Sequence, residues 1–148
     1  QNAGCDIVRF AVNSATDAAA IKEIKNATDI PLVADIQYDY KLAVLSAENG
    51  IDKVRINPGN IGDERKVRYL ADVLKERKIP IRIGVNTGSL EKDLKNLNPA
   101  DALVESAKRH IKILENAGFF DIIVSLKSSD VRTSVAAARK FSKAPSAA

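Results

Sequence analysis

The chain has 148 residues, of which 45% are hydrophobic, a proportion that can build the core of one globular domain. The net charge of +4 is mild, and basic and acidic residues are interspersed with only three Tyr and four Phe, so we expect no nucleic-acid-binding surface. No apolar run reaches the roughly 18 residues that a transmembrane helix needs, so we expect no membrane association.

The single cysteine, Cys5, cannot form an internal disulfide, which is typical of a protein from a reducing compartment. One cysteine is not a metal site, and we expect Cys5 to be a small buried apolar residue. The sequence contains no methionine, so we expect a processed, excised or incomplete chain.

Short apolar runs rich in Val and Ile alternate along the chain with segments of helical periodicity. Strands are predicted at 6–12, 31–36, 53–57, 80–86 and 121–127. Helices are predicted at 15–27, 40–49, 64–77, 102–118 and 130–142. Ser14 and Asp17 have the spacing of a capping box, and Gly50 and Gly118 are placed to end helices in left-handed turns. We expect His110 to have a surface or capping role and residues 91–95 to form a solvated face.

The regular alternation of strand and helix predicts an α/β fold with a parallel sheet and right-handed crossovers. A doubly wound sheet usually has a glycine-rich turn after its first strand, whereas residues 10–17 contain no glycine. We therefore favour a parallel (β/α) TIM-barrel-type fold. A complete barrel has eight strands, so this one would be incomplete, with about five of eight βα units. Residues 1–142 would form this partial barrel domain, and residues 143–148 would be a disordered tail.

Polar side chains recur near the C-terminal ends of all five predicted strands. Because residues two apart in a strand face the same side, Arg55 points with Asn57, and Arg82 points with Gly84 and Asn86. Four cations and one carboxylate would converge on one mouth of the barrel, where an anion such as a phosphorylated ligand must balance the excess charge. Gly84 would let a ligand or a neighbouring side chain approach the backbone. The candidate residues are Arg9, Asp35, Arg55, Asn57, Arg82, Asn86 and Lys127. In the alternative, these side chains face outward and belong to structural ion-pair networks.

Six segments carry a family resemblance: GCDIVR, PLVADI, DKVRINPGNIG, IPIRIGVNTGSLEKDL, LVESAKRHIKILE and SLKSSDV. In this order and spacing they resemble the barrel domain of the 4-hydroxy-3-methylbut-2-enyl diphosphate synthase family, from the non-mevalonate isoprenoid pathway. The resemblance extends from about residue 4 to about residue 142. It implies an oxidoreductase that opens the ring of 2-C-methyl-D-erythritol 2,4-cyclodiphosphate, with electrons from ferredoxin or flavodoxin passing through a [4Fe-4S] cluster.

The resemblance also implies roles for individual residues. It assigns substrate contacts to the seven residues above, with Gln37 and Ser129 as further candidates. Gln37 stands where the family usually has a histidine, and a glutamine cannot carry a proton near neutrality. The family's cluster ligands, three cysteines and a glutamate, belong to a separate domain, so we expect no metal and no assigned catalytic residue in this chain.

At the level of the whole protein, the resemblance implies a homo-oligomer in the cytoplasm, or in the plastid stroma if the source is a plant. We expect the isolated chain to bind the cyclic diphosphate without turnover. Two other functions remain open at this point: another phosphate- or pterin-binding barrel enzyme similar to dihydropteroate synthase, and a non-catalytic truncated scaffold.

Overall fold

The computed structural model describes residues 3–57 and 60–143. Within them, strands and α-helices alternate in the order β1 Val8–Ala11, α1 Ala15–Ala27, β2 Leu32–Ile36, α2 Tyr40–Glu48, β3 Lys53–Ile56, α3 Glu64–Glu76, β4 Ile81–Asn86, α4 Pro99–Asn116, β5 Ile122–Lys127 and α5 Val131–Ser142. Two short 3-10 turns, Thr87–Ser89 and Lys92–Leu94, lie between β4 and α4. The predicted alternation of strand and helix is therefore confirmed.

The strands form one parallel sheet in which spatial order follows chain order, β1-β2-β3-β4-β5. Arg55 of β3 lies beside Asp35 of β2 on one side and beside Arg82 of β4 on the other. Further along β4, Asn86 lies beside Lys127 of β5. This is the parallel α/β architecture predicted from the sequence, and its register brings the polar strand residues into neighbouring positions.

The two faces of the sheet have opposite character. Alternate residues of the central strands are buried against the helices and join the hydrophobic core: Leu32, Ala34, Ile36, Val54, Ile56, Ile81, Ile83 and Val85. The residues between them include Asp35, Arg55 and Arg82, which carry polar side chains. Because successive strand residues point to opposite faces, the core holds one face in place and leaves the other available for a polar site.

Helix ends confirm the predicted caps. Asp17 Oδ2 accepts hydrogen bonds from the backbone N–H groups of Asn13 and Ser14, at 2.8 and 3.0 Å, and the Asp17 N–H donates to Ser14 Oγ at 3.1 Å. Gly50 and Gly118 have φ angles of +87° and +69°, in the left-handed region that favours glycine. None of the helices within the described ranges is long and apolar enough to cross a membrane.

Several local predictions were wrong. Cys5 is exposed, because it precedes β1 outside the packed core. Helix α4 begins at Pro99, three residues before the predicted start, because Asn98 accepts a hydrogen bond from Ala100 N–H and proline is favoured in a first helical turn. The 91–95 segment is not wholly solvated, since Leu94 is buried. By contrast, helix α5 ends at Ser142 as predicted, and residues 144–148 of the predicted tail lie outside the described residues.

Candidate functional site

A polar cavity of about 380 Å³ lies on the sheet face opposite the core. Its lining comes from all five strands and comprises Arg9, Asp35, Arg55, Arg82, Gly84, Asn86, Ser125 and Lys127. The four cations predicted to converge do so here, together with one carboxylate. Parallel strands place equivalent ends at the same edge of a sheet, which is why residues far apart in sequence meet in this cavity.

Asp35 forms the ion pairs inside the cavity. Arg55 Nη1 donates to Asp35 Oδ1 at 2.7 Å, and the two side chains are only 12% and 15% exposed. Arg9 Nε lies 3.6 Å from Asp35 Oδ2, but the Arg9 side chain is 49% exposed. Arg55 is therefore held firmly by the carboxylate, whereas Arg9 is only loosely paired with it.

The charge of the cavity is unbalanced. With Asp35 as the one carboxylate among the lining residues, its four cations leave an excess of three positive charges. Arg82 Nε is buried without a hydrogen-bond partner among the described residues. A buried N–H without a partner costs free energy, and a negatively charged oxygen would satisfy it. The cavity is thus electrostatically suited to an anion that carries several charged oxygens.

Ser125 lines the cavity but was not among the residues predicted from the sequence. It lies beside Gly84 in the register of β4 and β5 and two residues before Lys127. Its hydroxyl can donate to or accept from a ligand. Counting back two positions from Lys127 could have identified it, but a serine in a strand carries no charge that would draw notice.

Three candidates from the sequence are not among the residues that line the cavity. Asn57 is 7% exposed, and its side-chain amide group exchanges hydrogen bonds with Ser89 Oγ at 3.0 and 3.3 Å. Asn57 thereby fixes the first 3-10 turn after β4, beside the cavity rim. Gln37 and Ser129 are both exposed in the segments that follow β2 and β5.

A second polar group anchors the loop between β4 and α4. Glu91 Oε1 accepts a hydrogen bond from Ser106 Oγ at 3.1 Å and lies 3.7 Å from His110 Nδ1. His110 Nδ1 also lies 3.0 Å from the Ser106 carbonyl oxygen, which assigns the proton to this nitrogen. The prediction of a surface or capping role for His110 was wrong, because its ring packs under this loop and is buried.

An exposed ion pair also connects this loop to α4. Arg109 Nη1 donates to Asp93 Oδ2 at 2.6 Å, and this hydrogen bond holds the pKa of the Asp93 carboxyl below its usual value. The loop that follows the cavity residue Asn86 is therefore attached to α4 at two points.

The residues present do not fit an iron–sulfur cluster. Within 3–57 and 60–143 there is no group of three or more His, Cys, Asp or Glu that could hold a metal ion. Cys5, the one cysteine of the sequence, precedes β1 and does not line the cavity. The cavity residues instead present an excess of positive charge, which suits an anion.

Comparison with known proteins gives one consistent result. The model of the GcpE TIM-barrel domain family matches residues 1–148. The chain is 56% identical over 145 residues to a protein of Fusobacterium nucleatum, covering 96% of this chain and 41% of that protein. It is 54% identical over 138 residues to one from Caldanaerobacter subterraneus, covering 90% and 39%. It is 55% identical over 147 residues to one from Lysinibacillus sphaericus, covering 97% and 40%.

Each of these three relatives carries the name 4-hydroxy-3-methylbut-2-en-1-yl diphosphate synthase (flavodoxin). The chain spans about two fifths of the length of these curated relatives. The family resemblance identified from the motifs is thereby confirmed.

Proposed function

The chain belongs to the GcpE TIM-barrel domain family, and we propose that it is the substrate-binding part of a 4-hydroxy-3-methylbut-2-en-1-yl diphosphate synthase. The observation that carries this proposal is the cavity with four cations and one carboxylate. A cyclic diphosphate, 2-C-methyl-D-erythritol 2,4-cyclodiphosphate, would supply the missing negative charge. The names of the relatives support the same chemistry, because each is named for a diphosphate product.

The cavity residues have different roles in binding. Arg55 is already paired with Asp35, so its guanidinium is held at a fixed position in the cavity. Arg82 offers an Nε–H that has no partner within the described residues, and Lys127 is an exposed cation at the rim beside Asn86. These groups are free to donate charge-assisted hydrogen bonds to phosphate oxygens. Asn86 would orient the ligand with its amide.

Electron transfer would come from outside this chain. In the proposed whole protein, residues outside this chain would hold a [4Fe-4S] cluster that would supply the reducing chemistry, with flavodoxin or ferredoxin as the electron donor. With one cysteine, this chain cannot provide the family's three cysteine ligands. Its residues bind and orient the cyclic diphosphate, and the chain on its own would not turn over substrate. In a homo-oligomer, a second copy would cover the mouth of the cavity.

Titration calorimetry with the cyclic diphosphate tests the proposal in the complete gene product. Arg82→Ala removes a cation from the cavity, and Arg139→Ala removes an exposed arginine from the last turn of α5 as the matched control. We expect Arg82→Ala to lose roughly 1.5–3 kcal/mol of binding free energy and the control to lose little. Affinity should also fall as salt rises, because salt screens exposed charge. Equal affinities for the two variants would disprove the site.

A further inference from the structure

Gly84 lies where the Arg55 guanidinium crosses from β3 to β4. Arg55 Nη1 reaches Asp35 on the β2 side, and Arg55 Nη2 donates to the Gly84 carbonyl oxygen at 3.3 Å on the β4 side. A Cβ atom at position 84 would lie 2.6 Å from Arg55 Nη2 and 2.9 Å from Arg55 Cζ. The guanidinium therefore occupies the space that any other residue at position 84 would fill with its side chain.

The backbone of Gly84 does not itself require glycine. Its φ angle lies outside the left-handed region, and position 84 is in the middle of a regular strand that is paired with β5. In such a position glycine is normally unfavourable, because it has no side chain to pack and loses more backbone freedom than other residues. Within the described structure, the close contact with Arg55 is what requires a residue without a side chain at position 84.

The placement matters because Arg55 lies directly beside Arg82 in the register of β3 and β4. Two cations at adjacent positions on the same face repel each other. By lying across Gly84 and pairing with Asp35, the Arg55 guanidinium is held in one position next to Arg82. A displaced Arg55 would lose its carbonyl contact and occupy space that the ligand needs.

We infer that Gly84 is a positioning residue whose missing side chain holds the Arg55 guanidinium between Asp35 and the backbone of β4. The effect on ligand binding rests on the proposed function, whereas the effect on the position of Arg55 does not. Since the clashing atoms are the far end of a flexible side chain, Gly84→Ala should displace Arg55 and leave the fold intact.

The experiment compares Gly84→Ala with Gly88→Ala in the complete gene product. Gly88 is the matched control, because a Cβ there would meet nothing within 4 Å and its φ is also outside the left-handed region. Inorganic pyrophosphate is the probe in titration calorimetry. We expect Gly84→Ala to weaken its binding about tenfold or more, the loss typical of one charged hydrogen-bonding partner, and Gly88→Ala to leave it unchanged.

A double-mutant cycle with Arg55→Ala identifies the cause. If Gly84 acts through Arg55, adding Gly84→Ala to Arg55→Ala should cause no further loss of affinity. An equal loss in both backgrounds would overturn the inference, since the ligand itself would then need the space. If Gly84→Ala unexpectedly destabilises the protein, the inference requires that it cause no further destabilisation in the Arg55→Ala background.

The NMR signal of the Arg55 Nε–H group tests the positioning without a ligand. It should shift in Gly84→Ala and stay in place in Gly88→Ala, and an unchanged signal in both would overturn the inference. If the wild-type protein binds neither pyrophosphate nor the cyclic diphosphate, the proposed function fails. The Arg55 signal still decides the inference about Gly84 in that case.

Discussion

Replacing Asp35 by asparagine would test how strongly the cavity depends on its one lining carboxylate. Asp35 is 2.7 Å from Arg55 and 3.6 Å from Arg9, so the substitution removes the counter-charge of two cations at once. The shape of the side chain hardly changes, and the effect is therefore electrostatic. Four cations would then share the cavity, with Arg55 and Arg82 in adjacent positions.

The structure sets the size of the effect. Breaking a fully buried ion pair costs about 3–5 kcal/mol, because one charge is left without compensation. Arg55 and Asp35 retain 12% and 15% of their side-chain exposure, so water offsets part of this cost. We expect Asp35→Asn to lower the local stability of β2 and β3 by roughly 2–4 kcal/mol. A domain with a typical stability of about 5–15 kcal/mol would remain folded.

Hydrogen exchange of the β2 and β3 amides measures this loss, even within a larger protein. Asp101→Asn is the control, because it breaks an ion pair of similar length, 2.6 Å, whose partners Asp101 and Lys140 are both 50% exposed. The control should lose less than about 1 kcal/mol. Pyrophosphate should restore stability to Asp35→Asn more than to the control, since a bound anion replaces the lost charge. Equal losses in the two variants would refute the reasoning.

Three further predictions concern stability. Leu70→Ala should lower the free energy of unfolding by about 2–5 kcal/mol in urea titrations, because Leu70 is fully buried. A loss below about 1 kcal/mol would contradict this packing. The Asn13 N–H and the Ser14 hydroxyl hold the pKa of Asp17 below its usual 3.8. The stability that this cap gives to α1 is therefore complete well above pH 3.8 and is lost as the pH falls through the lowered pKa. Circular dichroism should show a smaller acid-dependent loss of helix in Asp17→Asn than in the wild type, because Asp130, which caps α5, also has a lowered pKa and still contributes to the loss. Gly118→Ala should cost about 1–2 kcal/mol in thermal unfolding, because alanine is strained at φ +69°, and an unchanged Tm would contradict it.

The strand positions and the polar face could be predicted from the sequence, because both depend on short periodic patterns. Val and Ile mark the strands, and the two-residue period that joins Arg82 to Asn86 places both in the same cavity. Neither prediction required knowledge of contacts between residues far apart in sequence.

The loop between β4 and α4 could not be predicted in this way. Its position depends on contacts between segments far apart in sequence, such as Asn57 with Ser89 and Glu91 with Ser106. The burial of His110 depends on that loop, which the periodicity within α4 does not report. The exposure of Cys5 likewise depends on what packs against the segment before β1, which local patterns do not report.

The agreement between spatial and chain order of the strands has a consequence for how the chain acquires its structure. Each new strand can dock on the one made just before it, so folding can proceed during synthesis. The hydrogen bonds that link neighbouring strands span 20 residues from β2 to β3 and 29 from β3 to β4. The side-chain contact just beyond β4 and β5 spans 41. Longer loops close more slowly, so β5 should be the last of these five strands to join, and the cavity gains Ser125 and Lys127 only at that step.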